Sequence, residues 1–156
     1  MAAVWDRFKS NKNNGMEEII EVNSWEVLGP HARPVRERVF VIEQNIPLEL
    51  EWDEMDAVSL HALARDASGQ AIATGRLLPD GHIGRMAVLA AHRGRGVGGS
   101  ILETLIRHAA SRGLAEVVLH AQESAVGFYL RHGFACDGEP FMEAGIPHRT
   151  MRRRTA

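Results

Sequence analysis

The chain has 156 residues, of which 45% are hydrophobic and 24% are charged, and this composition is typical of one soluble globular domain. Its formal net charge of −2 excludes a strong bulk attraction to nucleic acid or to an anionic membrane. No apolar run approaches the roughly 20 residues of a membrane-spanning helix. The single cysteine, Cys136, cannot form an internal disulfide, so we expect a cytoplasmic protein.

The two halves of the chain carry net charges of opposite sign, although the net charge of the whole chain is close to zero. Residues 1–78 carry a formal balance of −5, whereas residues 79–156 carry +3. Five acidic residues fall within the eight positions 49–56. A run of this kind is usually a solvated loop, and that is its first interpretation here.

The first fifteen residues differ in character from the rest of the chain. They contain both lysines of the protein, Lys9 and Lys12, and end in Asn-Asn-Gly, without the apolar segment of a signal peptide. We predict a disordered leader over residues 1–15 and a single domain over residues 16–156, with Met16 as an alternative start.

From residue 16 onward, strand-like and helix-like patterns alternate. A helix is predicted over residues 30–41, and Pro30 lies near its first turn, where proline is tolerated. The first half is predicted to contain a strand over 18–22, a helix over 30–41, an irregular loop over 43–56, and strands over 59–65, 71–78 and 82–89. Short turns connect the last three strands, so we expect them to be antiparallel neighbours.

The second half opens with a clear amphipathic helix. Apolar residues recur on one face of residues 96–112, and Gly113 supplies the stop. The remaining predicted elements are a strand over 117–119, a helix over 124–132 and a closing hairpin of 134–142 with 148–153. A strand, a helix and a strand in succession suggest a parallel pair with a crossover, so the fold class is a mixed α/β sheet.

The segment with the most chemical content precedes this amphipathic helix and reads Arg93-Gly94-Arg95-Gly96-Val97-Gly98-Gly99. Its glycines let the backbone turn sharply and approach a ligand. The first N–H groups of the helix are unpaired and lie at the positive end of its dipole, where phosphate binds. The lysine of a P-loop and the glycine spacing of a dinucleotide fold are both missing. A tight strand-to-helix turn with solvated arginines is the alternative interpretation.

Three segments together resemble the GNAT N-acetyltransferase superfamily. They are Gly84-Arg85-Met86-Ala87-Val88, the Arg-x-x-Gly-x-Gly loop that starts at residue 93, and Ala-x-x-Phe-Tyr-x-x-x-Gly-Phe over 125–134. Residues 39–44, the acidic stretch and residues 141–148 are similar to the ElaA-like branch of small bacterial members. The resemblance implies a mixed central sheet with antiparallel N-terminal strands, a parallel pair splayed at the cofactor, and flanking helices.

The same resemblance implies acetyl-coenzyme A as the donor and a primary amine as the acceptor. Residues 93–98 are expected to wrap the pyrophosphate, and the main chain of residues 86–88 is expected to hold the pantetheine arm, with residues 122, 125 and 128 beside it. The implied cofactor-binding residues are Met86, Ala87, Val88, Arg93, Gly94, Arg95, Gly96, Val97, Gly98, Gln122, Ala125 and Phe128.

Tyr129, the only tyrosine, stands at the position of the family's general acid. A phenol with a reference pKa near 10 is protonated at pH 7 and is able to donate to a departing thiolate. The alternative is an aromatic side chain on the buried face of a helix. The general base stays open among several candidates, which are His82, His120, Glu43, Asp53 and His148.

The acidic stretch acquires a second interpretation beside the solvated loop. A cationic amine would be drawn to Glu51, Asp53 and Asp56, and Trp52 would add a cation–π contact. Glu43 and His148 complete the set of predicted substrate-binding residues. Neutralising Glu51 and Asp53 is then expected to raise the KM of the acceptor.

The sequence also bears on metal ions, other partners and an alternative function. The eight histidines are dispersed and no cysteine cluster exists, so no metal site is predicted. No nucleic-acid or membrane partner is expected, and a homodimer is left open. The alternative function is a non-catalytic acyl-coenzyme A sensor or interaction domain on the same fold.

Overall fold

The computed structural model describes residues 7–10 and 18–156 of the chain. Its N-terminal half forms a five-stranded antiparallel sheet in sequential order. The strands are β1 (Arg7–Ser10), β2 (Glu18–Ser24), β3 (Leu60–Arg65), β4 (Ala71–Leu77) and β5 (Ile83–Val88). The three antiparallel strands predicted from the two turns are therefore confirmed as β3, β4 and β5.

The predicted leader is described only in part. Residues 1–6 and 11–17 lie outside the described residues, but Arg7–Ser10 forms β1 and pairs with β2. The sequence did not predict this strand. The division into a leader and one domain stays a prediction.

A second sheet is built from the C-terminal half. It contains β6 (Glu116–Gln122), β7 (Ala135–Cys136), β8 (Phe141–Glu143) and β9 (Ile146–Arg154). The long β9 pairs antiparallel with each of the other three strands. The two sheets meet at one parallel bridge, His82 to Val118. The predicted parallel pair of β5 and β6 is therefore joined only at that bridge, and the two strands line an open cleft beyond it.

The first helix is longer than predicted. Helix α1 (Trp25–Arg36) continues directly into π-helical turns over Glu37–Glu43. Pro30 and Pro34 both lie inside α1 rather than at its start. The side chains of Leu28, Ala32 and Val35 are buried because this helix packs on β3 and β4.

The prediction of an irregular loop over 43–56 is wrong. Helix α2 (Leu48–Glu51) follows Pro47, and a 3-10 helix spans Glu54–Val58. Asp53 begins the 3-10 helix, because its side chain accepts a hydrogen bond from the backbone N–H of Met55. The acidic positions thereby fall at defined places in short helices.

The amphipathic helix α3 (Val97–Ser111) packs on the opposite face of the first sheet. Its residues Ile101, Leu102 and Leu105 are fully buried in the main hydrophobic core, as their spacing predicts. Helix α4 (Val126–Arg131) follows a short 3-10 turn after β6. The mixed α/β fold class is confirmed. Among the described helices, none is both long enough and apolar enough to cross a membrane.

Candidate functional site

A cleft of about 1450 Å³ lies between β5 and β6. The N-terminus of α3 and helix α4 contribute to its walls, together with α2 and the β8–β9 hairpin. Most of the predicted cofactor-binding residues line it, and Arg95 is the exception. The lining residues from that set are Met86, Ala87, Val88, Arg93, Gly94, Gly96, Val97, Gly98, Gln122, Ala125 and Phe128.

A β-bulge opens one wall of the cleft. The register of β4 with β5 shifts so that Thr74 pairs with Ala87 while Arg76 pairs with Gly84. Arg85, inside the bulge, has a φ of +49°, a left-handed conformation that is uncommon for a residue with a side chain. A bulge of this kind interrupts regular pairing and re-aims the strand, so the main chain of 86–88 borders the cleft.

The glycine loop supplies an anion-binding end to the same cleft. Gly94 and Gly96 have φ values of +78° and +82°, which glycine adopts without strain. Gly96 is the N-cap of α3 and provides no side chain to cap the first N–H groups. Because these donors have no intrahelical partners, the loop is able to bind a phosphate or a similar anion.

Arg93 occupies this loop with its charge already compensated. Its Nη1 and Nη2 donate to the two carboxylate oxygens of Glu43 at 2.6 and 2.7 Å, and its Nε donates to the carbonyl of Val88 at 2.9 Å. The hydrogen bond from Arg93 holds the pKa of Glu43 below its ordinary value. Glu43, predicted to bind the acceptor, therefore lies against the glycine loop and holds Arg93 to the end of β5.

A second bridge runs parallel to this ion pair. The side-chain amides of Gln44 and Gln122 exchange hydrogen bonds of 2.8 and 3.4 Å. Together the two bridges tie the end of the π-helical turns to the ends of β5 and β6. The predicted cofactor residue Gln122 is thus positioned by a residue distant in sequence.

Tyr129 lies in α4, lines the cleft and is only 8% exposed. Its ring packs edge-on against Phe128 and Phe134, with centroids 5.0 and 5.7 Å away. Burial raises the pKa of Tyr129 to about 12. The hydroxyl therefore keeps its proton through the neutral and mildly alkaline range and is a constant donor.

Within the acidic stretch, the three carboxylates predicted to attract the acceptor, Glu51, Asp53 and Asp56, are each paired with arginines. Glu51 and Asp56 are buried, and the guanidinium of Arg36 donates to both at 2.6 and 2.8 Å. Arg76 donates to Asp53 at 2.7 and 2.8 Å and to Asp56 at 3.0 Å. Asp56 is also absent from the residues that line the cleft.

Two further contacts complete this ion network. Arg85 donates to Asp53 at 3.2 Å, so that three arginines balance three carboxylates. The ring of Trp52 receives the guanidinium of Arg33 at 4.9 Å, which occupies the cation–π position predicted for an acceptor. Burial raises the pKa of Glu51 against the opposing effect of Arg36. The acidic stretch is therefore a structural element that ties α2 to α1 and β4.

The sequence reasoning missed Arg36, Arg76 and Arg85. Arg76 is the most visible of them in the sequence, because it stands within the otherwise uncharged strand Ala71–Leu77. A charge in such a strand must have a partner if it is buried. That signal identifies the arginine but not which of the many carboxylates pairs with it.

Asp53 gives this network a defined dependence on pH. The hydrogen bond from Arg76 lowers the pKa of Asp53 to about 2, below the value of roughly 3.9 in an unfolded chain. Its contribution to stability is therefore present above pH 4 and is lost as the pH falls toward 2. We expect the urea midpoint of the wild type to fall more than that of Asp53→Asn between pH 5 and pH 2.5. Parallel losses in the two proteins would contradict this role.

A cluster of imidazoles and one carboxylate lines the far side of the cleft. His148 is buried, and its Nε2 lies 3.6 Å from Oε2 of Glu143. The other carboxylate oxygen lies 3.5 Å from Nδ1 of His120, whose ring meets that of His82 edge-on. Across residues 7–10 and 18–156, no group of three or more histidine, cysteine or acidic side chains is arranged to hold a metal ion.

The chain is similar to known proteins along most of its length. The model of the GNAT acetyltransferase domain family matches residues 30–155. The chain is 42% identical over 123 residues to the uncharacterized N-acetyltransferase YjcF of Bacillus subtilis (strain 168), covering 76% of this chain and 87% of that protein.

Two solved structures share the fold along most of their length. An acyl-CoA N-acyltransferase from Pseudomonas aeruginosa is 31% identical, with a TM-score of 0.77 over 92% of this chain and 99% of that one. Escherichia coli ElaA is 28% identical, with a TM-score of 0.77 over 86% of this chain and 98% of that one.

Proposed function

Because this chain belongs to the GNAT acetyltransferase family, whose members use acyl-coenzyme A, we propose that it transfers an acetyl group from acetyl-coenzyme A to a primary amine. One observation carries this proposal. The glycine loop, the bulged strand β5 and the buried Tyr129 line the same cleft, so that an anion-binding end and a proton donor are joined by one continuous channel.

Different residues of the cleft hold different parts of the thioester. Backbone N–H groups of the glycine loop and the first turn of α3 bind the diphosphate. The main chain of residues 86–88 borders the pantetheine arm of the coenzyme on one side, and Gln122, Ala125 and Phe128 border this arm on the other. This placement directs the sulfur of the thioester into the cleft that Tyr129 also lines.

Tyr129 then stabilises the leaving group as the general acid. Its hydroxyl donates a hydrogen bond to the sulfur as negative charge develops there. The reference pKa of a thiol is about 8.5, below the pKa of Tyr129 at about 12, so the hydrogen bond, and not full transfer of the proton, supplies most of the stabilisation of the departing sulfur. A donor that stays protonated suits this task, because its state does not change across the working pH range.

The direct test is a thiol-release assay with the purified protein. Acetyl-coenzyme A is mixed with a panel of polyamines, amino acids, aminoglycosides and lysine peptides, and free coenzyme A is titrated with a chromogenic disulfide. Release that depends on one class of amine supports the proposal. Tight binding of acetyl-coenzyme A without release by any amine would favour an acyl-coenzyme A sensor instead.

The glycine loop gives a matched pair of variants. Gly94 in the loop and Gly113 after α3 have φ values of +78° and +81°, and an added Cβ meets nothing within 4 Å at either position. Each alanine variant should therefore lose about 1–2 kcal/mol of stability. Only Gly94→Ala is expected to weaken coenzyme A binding, by about 10- to 100-fold if one charge-assisted hydrogen bond is lost. Isothermal titration calorimetry checks this, and equal affinities of the two variants would contradict the assignment of the loop.

A further inference from the structure

We propose that His148 is the general base that accepts the proton of the acceptor amine, with Glu143 stabilising the imidazolium that forms and leading the proton outward. The role of His148 rests on the proposed function, because it completes the same transfer. An amine with a reference pKa near 10.4 must lose a proton before it attacks, which costs roughly 4–5 kcal/mol at pH 7. A positioned base lowers that cost in the transition state.

The hydrogen bond at one ring nitrogen fixes the tautomer of His148. Its Nδ1 lies 2.6 Å from the carbonyl oxygen of Ile146. A carbonyl oxygen only accepts hydrogen bonds, so Nδ1 carries the hydrogen. In the neutral ring, Nε2 then bears the lone pair and is the atom that can take up a proton.

The backbone register places His148 at the cleft. His148 pairs with Gln122 in the register of β6 with β9, and both residues line the cleft, as does Tyr129. The His148 side chain is 8% exposed and its ring is stacked on Phe141, with ring centroids 5.9 Å apart. A ring held in this way is oriented before the substrate arrives.

Glu143 connects this imidazole to the surface. One of its oxygens lies 3.6 Å from Nε2 of His148, and the other lies 3.5 Å from Nδ1 of His120. The side chains of Glu143 and His120 are 52% and 40% exposed, so both reach water. The carboxylate stabilises the imidazolium formed at His148, and the proton leaves through this exposed pair.

Three of the other four candidates for the base are committed to partners other than Glu143. Both oxygens of Glu43 are bound by Arg93. Asp53 is bound by Arg76 and Arg85, and its pKa of about 2 makes it a weak base. His82, on the other side of His120, places its Nδ1 3.0 Å from Asp80, and its side chain is 40% exposed.

The step balances with the groups already named. Nε2 of His148 takes one proton from the ammonium group, and the nitrogen lone pair forms the new C–N bond at the carbonyl carbon. The C–S bond breaks, the sulfur receives the proton of Tyr129, and the nitrogen releases its second proton to water as the neutral amide forms. The proton on His148 passes to water by way of Glu143, and the phenolate of Tyr129 regains a proton from water.

Two variants separate a base from a structural histidine. In His148→Asn the side-chain amide keeps a donor near the position of Nδ1, so the hydrogen bond to Ile146 is retained while the lone pair of Nε2 is lost. We expect kcat/KM for transfer to fall about 100- to 10,000-fold. The dissociation constant for acetyl-coenzyme A, measured by calorimetry, should stay within twofold. His31→Asn, on the exposed side of α1, is the matched control and should behave as the wild type.

A readout that does not depend on turnover tests the same geometry. Nitrogen-15 NMR of the histidine side chains should show His148 protonated at Nδ1, and its signal is assigned by its loss in His148→Asn. Protonation at Nε2 instead, or transfer by His148→Asn within twofold of the wild type, would overturn the role of His148 while leaving the proposed function intact. Failure of the wild type itself to acetylate any amine would contradict the proposed function, and the base role with it.

Discussion

Replacement of Tyr129 by phenylalanine is expected to lower the turnover of acyl transfer by about 100- to 10,000-fold. The change removes one hydroxyl from a side chain that is 8% exposed and lines the cleft. Without the hydroxyl, the negative charge that develops on the departing sulfur has no protonated donor from α4. The loss should appear in kcat, because the interaction is strongest in the transition state.

Binding and folding provide the controls for this variant. The diphosphate and the arm are held by the glycine loop and by residues 86–88, so the dissociation constant for acetyl-coenzyme A should change less than twofold. Phenylalanine preserves the ring that packs against Phe128 and Phe134, so the free energy of unfolding should not fall. Turnover of Tyr129→Phe within twofold of the wild type would contradict the general-acid assignment.

The largest loss of stability is expected from Arg36→Met. Arg36 is 1% exposed, and its guanidinium donates to the buried carboxylates of Glu51 and Asp56. Removing one partner of a buried ion pair leaves the other charge uncompensated, which costs about 3–5 kcal/mol. We expect a decrease of that size in the free energy of unfolding, measured by urea denaturation at pH 7.

Arg33→Met is the matched control, since it changes an exposed arginine on the same helix, one turn earlier. Arg33 lies over the rings of Trp25 and Trp52 at 5.2 and 4.9 Å, and such exposed cation–π contacts contribute about 0.5–1 kcal/mol. The two variants should therefore differ by at least about 2 kcal/mol. A decrease for Arg36→Met no larger than that for Arg33→Met would show that the buried network does not hold α2 in place.

Local patterns were sufficient to predict most of the framework. The apolar face of α3 and the turn residues between β3, β4 and β5 are repeated signals that local chemistry sets. The glycine loop was identifiable because few arrangements require positive φ immediately before a helix. Resemblance to the GNAT superfamily then indicated that the only tyrosine, Tyr129, stands at the position of the general acid.

The interactions that the sequence did not predict depend on distant partners. Arg36 stands 15 residues before Glu51, and Arg76 lies 20 residues after Asp56. A count of charges in residues 49–56 cannot include those arginines, so the acidic stretch suggested a cation site where the fold forms an ion network. The same holds for Gln44 and Gln122, which are 78 residues apart.

Choice among the candidate bases also required the folded chain. Sequence alone leaves five residues with comparable chemistry, because protonation depends on the neighbours of each group. Contacts in the fold separate three of them: His148 donates to Ile146, Glu43 is paired with Arg93, and Asp53 lies between two arginines. The raised pKa of Tyr129 is likewise a consequence of burial.

The most direct measurement follows the acetyl group itself. The protein is incubated with acetyl-coenzyme A that carries carbon-13 in the acetyl carbonyl, together with the amine that gives the fastest coenzyme A release. Carbon-13 NMR distinguishes an amide from free acetate. We predict one labelled N-acetyl amine for each coenzyme A released, with little signal from Tyr129→Phe. Labelled acetate as the only product, or no product with any amine, would contradict the assignment of this cleft to N-acetyl transfer.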